Sequence, residues 1–170
     1  MLQESNRIEL KEKLNEKLEK EICAFLNNRE GGALYIGISD DGEVVGVSDA
    51  DALQKKVAER IRDNILPSAL GLYDVTPEEI DGKTVIKVIV SSGTEKPYYI
   101  KERGMSSAGC FIRVGTTVQP MSTSMIDEFY SKRLRNQTLR NISSPRQDLT
   151  FSQLKIYYEE RGLALNDRFA

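Results

Sequence analysis

Apolar and polar residues alternate over positions 6–11, with Ile8 and Leu10 on one side and Arg7, Glu9 and Lys11 on the other. That period of two predicts a half-buried strand. The period then lengthens. Leu14, Leu18, Ile22, Phe25 and Leu26 recur at steps of three and four, with Lys and Glu between them, and mark the inner stripe of a helix. Gly31-Gly32 closes it, because glycine accepts the left-handed backbone that ends helices. Ala33–Ile38 is a nearly unbroken apolar run, too short for a helix and suited to a strand covered on both faces. Ser39-Asp40-Asp41-Gly42 supplies a turn, and Val44-Val45-Gly46-Val47 predicts the returning strand of a hairpin. Ser48 or Asp49 can cap a second helix, whose stripe is Leu53, Val57, Ile61 and Ile65, with Pro67 just beyond. Leu72–Ile80 and Val85–Val90 flank Asp81-Gly82, a strong hairpin signal. Pro97–Ile100 predicts a short strand, 101–109 a loop and Phe111–Val114 another strand. Ser122 can cap a third helix with Ile126, Phe129 and Leu134 inward. Interleaved helices and hairpins give an α+β fold, a mixed sheet with helices packed on it.

Past the third helix the pattern lapses. Residues 136–149, rich in Asn, Ser, Pro and Arg, read as a linker. Thr150-x-x-Gln153 is a capping box ahead of a fourth helix with Leu154, Tyr157 and Tyr158. Leu163, Leu165 and Phe169 find no place in it, so 150–170 reads as the start of a C-terminal region that continues further. The expected organisation is a domain over 1–135, a linker over 136–149 and this fragment.

Composition narrows the chemistry. The 170 residues carry 24 Lys+Arg against 26 Asp+Glu, a net charge of −2, which excludes a polycation coating DNA but allows a local basic patch. Histidine is absent, so Ser-His-Asp triads, Cys-His dyads and His-containing zinc sites are excluded. Cys23 falls in a helical pattern and Cys110 in a strand pattern, which predicts two buried thiols in a reducing, cytoplasmic setting. No run approaches the ~20 apolar residues of a membrane helix, and the polar N-terminus carries no secretion signal. Gly37 and Gly42 have the spacing of a phosphate loop, but Glu43-Val44 follow where Lys and Ser/Thr would be required. No G-x-G-x-x-G is present.

Two constellations remain. Glu4 and Glu9 flank the first strand, and Asp40-Asp41 tip the hairpin after the second; neighbouring strands would bring these carboxylates to one end of the sheet, where such groups hold a divalent metal for phosphodiester cleavage. By pattern alone Asp-Asp-Gly is first a turn, and the two glutamates are first solvated surface. The second constellation is basic. From Phe129 to Gln147 there is no acid, and Lys132, Arg133, Arg135, Arg140 and Arg146 lie inside; Lys96, Lys101, Arg103 and Arg113 interleave with Tyr98, Tyr99 and Phe111. Cations beside aromatics suit phosphate contact and base stacking. The alternative is a solvated linker beside core aromatics.

The motifs Glu4-Ser5-x-x-x-Glu9-x-Lys11, Ala24-Phe25-x-Asn27 before Gly31-Gly32, Leu34-Tyr35-Ile36-Gly37-Ile38-x-Asp40-Asp41-Gly42, Val45-Gly46, Pro97-Tyr98-Tyr99 and Arg113-Val114-Gly115 occur in order. Together they resemble the AlbA-like domain of the Schlafen family. The resemblance implies that fold and, from bacterial members, a DNA-binding part of a transcriptional regulator. The family's former label of divergent AAA ATPase does not transfer, for want of a P-loop. Some animal Schlafens are endoribonucleases with a three-carboxylate site, which implies Glu4, Glu9 and Asp41 as catalytic ligands of Mg²⁺ or Mn²⁺, with Lys11 steadying transition-state charge. Those proteins use two tandem copies and a zinc site; this chain has one copy and no histidine, so a comparable RNA groove would need a homodimer. The first reading is DNA or RNA binding, with phosphates at Lys101, Arg103, Arg113, Lys132, Arg133 and Arg135. The second is the metal-dependent endoribonuclease, and the third a module for interaction alone. In the strand, Ile8 and Leu10 are expected in the core, with Glu9 on the open face beside Arg7 and Lys11.

Overall fold

The first strand and the apolar run after the first helix lie side by side. β1 (Ile8–Lys11) pairs in parallel with β2 (Gly32–Ile36), and α1 (Leu18–Asn27) is the crossover between them. This computed structural model describes residues 2–136, 156, 158 and 160–162, with no side chains described at 134–136. The helix α2 (Ala50–Asn64) and the two-residue β3 (Ile65–Leu66) precede a long hairpin, β4 (Tyr73–Ile80) and β5 (Lys83–Val90). The hairpin completes a four-stranded sheet in the order β1-β2-β5-β4, antiparallel except at β1–β2. β6 (Tyr99–Ile100) pairs with β3, and β7 (Phe111–Val114) with β8 (Thr117–Pro120). α3 (Thr123–Asn136) follows. The fold is α+β with a mixed sheet.

α1 is central. Leu18, Glu19 and the whole run from Glu21 to Asn27 are buried. One side of α1 meets β2 and β5, and the others meet α2 and the ribbons β6, β7 and β8. Phe25, Ile22, Leu34, Ile36, Val57, Ile61, Ile86 and Val88 make the main core. Strand parity sends the alternate residues Leu10, Tyr35 and Val85 to a smaller cluster with Ile38 and Val44. Ile8 and Leu10 therefore anchor β1 on the face away from α1, and Glu9, in register with Leu34, faces the main core. This reverses the expectation of an open-faced Glu9.

A buried helix needs its polar groups satisfied. Asn27 Nδ2 donates to the carbonyls of Tyr98 (2.9 Å) and Phe111 (2.8 Å), while its Oδ1 accepts from the Tyr98 amide (2.7 Å). The start of α1 is tied to the end of α2, where Arg60 reaches both oxygens of Glu19 and Asn64 adds a bond at 2.9 Å. Burial alone would push the Glu19 carboxyl up; the Arg60 and Asn64 hydrogen bonds outweigh it and hold it below the usual range. Where the helix turns back into the sheet, Gly31 has φ +68°, and a Cβ there would run into the Val90 carbonyl oxygen.

Several expectations shift. α1 begins at Leu18, because Asn15 Oδ1 takes the Lys17 amide in a turn. Val44–Val47 is no strand: the Gly37 carbonyl accepts both the Val45 and Gly46 amides at 2.8 Å, which curls the chain and leaves one bridge, Ile38 to Val44. Asp49 and Ser122 cap α2 and α3. Both cysteines are buried and free. The chain divides into units 1–135 and 136–170. In the second, Ile156, Tyr158 and Glu160 are helical; linker residues 137–149 and Leu163, Leu165 and Phe169 lie outside the described residues. Among the described residues no helix is long and apolar enough to cross a membrane.

Asn27→Ala leaves the buried Tyr98 and Phe111 groups without partners, which is expected to cost about 3 kcal/mol. Urea unfolding of the variant beside the wild type measures it.

Candidate functional site

Arg113 of β7 points at α1 and is wholly buried, its side chain 0% exposed. A guanidinium held out of water needs oxygen partners. Its Nη2 donates to the carbonyls of Ser5 (2.8 Å) and Ile8 (3.1 Å) and lies 2.7 Å from Glu9 Oε2 in an ion pair. Nη1 reaches Glu21 Oε2 at 3.5 Å, and the group lies over the Phe25 ring, 5.0 Å from its centroid. The expectation that Arg113 meets phosphate is corrected by this burial: the cation is enclosed between β1 and α1.

The other oxygen of Glu9 is also taken. Lys11 Nζ lies 2.5 Å from Glu9 Oε1, donates to the Leu10 carbonyl and stands 4.0 Å from Glu4 Oε1. Burial would lower the Lys11 ammonium, but the hydrogen bond and charge of Glu9 raise it above the ordinary lysine value. Glu4 accepts the Leu10 amide at 3.3 Å along the free edge of β1. In the E-S-x-x-x-E-x-K motif, then, Glu4 holds the strand edge, the Ser5 carbonyl and Glu9 receive Arg113, and Lys11 closes on both glutamates.

Asp41 stands apart, exposed in the turn where the Gly42 amide bonds the Ser39 carbonyl. Among the described residues no three carboxylate or thiol side chains gather in a group able to hold a metal ion. Glu4 and Glu9 both stand beside Lys11, whereas Asp41 lies on the separate turn.

Glu21 escaped the sequence reading. It is three residues after Leu18 and four before Phe25, inside the apolar stripe of α1, and a carboxylate in that position is the legible signal. Burial raises its carboxyl above the usual range, and the charge of Glu9 adds to this. A cleft lined by Lys11, Lys13, Asn15 and Glu21 together with the apolar Leu14, Leu18, Leu34 and Ile36 lies beside it.

The remaining cations divide. Lys101 and Arg103 are exposed on the turn after β6. Lys132 is exposed on α3, paired with Glu128 at 2.6 Å. Arg133, half-buried, donates to the backbone carbonyls of Glu95, Lys96 (3.3 Å) and Pro97 (2.8 Å). Lys96 donates to the Asn28 carbonyl. The Arg135 side chain, Arg140 and Arg146 lie outside what is described. Tyr98 and Phe111 are buried in the core, and Tyr99 is half-buried.

The sequence model of the Schlafen, AlbA_2 family matches residues 4–122. The chain belongs to that family. This Schlafen AlbA_2 domain is 30% identical to a solution structure from Nitrosomonas europaea, the N-terminal domain of a protein described as related to the ATP-dependent DNA helicase RecG. The match covers 71% of this chain and 86% of that one, with a TM-score of 0.50. The crystal structure of the DIP2311 protein from Corynebacterium diphtheriae shares the fold at 21% identity and a TM-score of 0.53, over 75% of this chain. There the chain spans only 24% of its neighbour. No curated protein matches.

Removing one partner of a buried ion pair costs about 3–5 kcal/mol. Arg113→Met is expected to show a loss of that size in urea unfolding of the Schlafen AlbA_2 domain, and Arg113→Lys to recover little of it, since an ammonium lacks the fork that spans Glu9 and the two carbonyls. Glu21 gives a pH signature. Its folded value is raised, so its contribution to stability is full below the unfolded value and is lost as pH rises through the folded one. Thermal unfolding at about pH 4 and about pH 7 should therefore show Glu21→Gln gaining on the wild type as pH rises.

Proposed function

We propose that the chain is a nucleic-acid-binding module of the kind carried by transcriptional regulators, gripping phosphate with exposed cations rather than cutting it with metal. The observation that carries this reading is the state of Glu9, with one oxygen on Lys11 and the other on Arg113. A carboxylate neutralised twice by its own protein presents little net charge to a divalent metal. The family, and a relative named for its kinship to a DNA helicase, support nucleic acid as the partner.

The contact surface in this reading runs from Lys101 and Arg103 to Lys132 on α3, with Arg135 as a further candidate. A small apolar cluster joins these parts. Cys110, Met121 and Ile126 form its centre, and Met105 from the loop and Phe129 from α3 both pack on it. The Lys132–Glu128 pair is exposed, so its hold on Lys132 is worth little and the ammonium is free to turn to phosphate.

Transfer RNA and duplex DNA, each with Mn²⁺ or with EDTA, test both halves in a gel-shift assay. The expected result is intact nucleic acid and the same shift in both buffers. Mn²⁺-dependent RNA cleavage that disappears in Glu9→Gln would establish the nuclease instead. A Lys101→Ala, Arg103→Ala variant is expected to bind more weakly to all sequences and to flatten the log–log salt dependence by about two units, one per lost phosphate contact.

A further inference from the structure

Tyr130 is the exposed aromatic side chain among the described residues, 40% accessible on the outer side of α3. Its ring does not hang free. The Arg133 guanidinium lies over it, 5.4 Å from the ring centroid, and is fixed in turn by the carbonyls of Glu95, Lys96 and Pro97. An aromatic ring laid on a pinned cation has lost its rotational freedom already in the free protein, so a ligand meeting it has little ordering left to impose.

We infer that Tyr130, backed by Arg133, is a stacking platform for one unpaired nucleobase, so that this domain prefers single-stranded or looped nucleic acid to a closed duplex. The inference rests on the nucleic-acid reading above. Every base has a π-face to offer a tyrosine, whereas a base inside a duplex has both faces covered by its neighbours. The same helix brings cations near by: Lys132 is exposed on α3, and the loop bearing Lys101 and Arg103 packs against the same apolar cluster as Phe129. Arg133 thereby acquires a role as a positioning residue for Tyr130.

The test uses the full 170-residue chain and a mixed-sequence oligonucleotide carrying 2-aminopurine, offered as a single strand and as a closed duplex. The wild type is expected to quench the single-strand fluorescence and to bind that form more tightly. Tyr130→Leu should weaken single-strand binding roughly tenfold and abolish the quench, Tyr130→Phe should keep both, and duplex affinity should stay the same throughout. Quenching in the wild type reads stacking without any substitution. Single-strand binding that is equal in wild type and Tyr130→Leu, without quenching, overturns the stacking role alone. A wild type that binds neither probe overturns this inference and the nucleic-acid reading together.

Discussion

The buried Arg113 guanidinium sets the terms for much of this domain. A cation wholly out of solvent must find oxygen on several sides, and here the oxygen comes from separate stretches of chain: the carbonyls of Ser5 and Ile8, the carboxylate of Glu9 on β1 and that of Glu21 on α1. None of these can move far without stranding a charge. Lys11 takes the other oxygen of Glu9, so Glu9 and Glu21 face Arg113 and Lys11 between β1, α1 and β7. The N-terminal residues are thereby fastened across the edge of the sheet, and Glu4 covers an amide that the edge would otherwise leave open.

That arrangement changes the meaning of the motif that first drew attention. An ordered set of Glu, Glu, Lys and a downstream Asp reads as chemistry, and in this chain its Glu4, Glu9 and Lys11 fasten the first strand to Arg113 while Asp41 stays on its own turn. The proposed binding surface is on the turn after β6 and on α3, where cations meet solvent and Tyr130 is backed by Arg133. Stability and binding are therefore assigned to different residues of one small domain.

The long, periodic elements were legible in the sequence. α1, α2, the β4–β5 hairpin and α3 each carry their period over two or more turns or a full strand. β3 has two residues and no period to read, whereas β6 falls inside the short strand expected at Pro97–Ile100. β8, Thr117-Val-Gln-Pro, is held by pairing with β7 rather than by any pattern of its own. The site was less legible, for a physical reason. Charge in a sequence does not say which way it points: Arg113 alternates with Ile112 and Val114 as a surface arginine would, and only the packing of β7 on α1 turns it inward. Likewise Arg133 sits in an acid-free basic run, and its three backbone carbonyls come from a loop more than thirty residues away.

The central claim is that Glu9 and Arg113 hold each other. A double-mutant cycle with Glu9→Gln, Arg113→Met and the pair, followed by urea unfolding, measures that coupling directly. A favourable coupling of about 2 kcal/mol or more is expected, within the range for residues sharing one ion-pair network. Strict additivity of the two substitutions would show that the carboxylate and the guanidinium act independently, and would return Glu9 to the pool of free ligands.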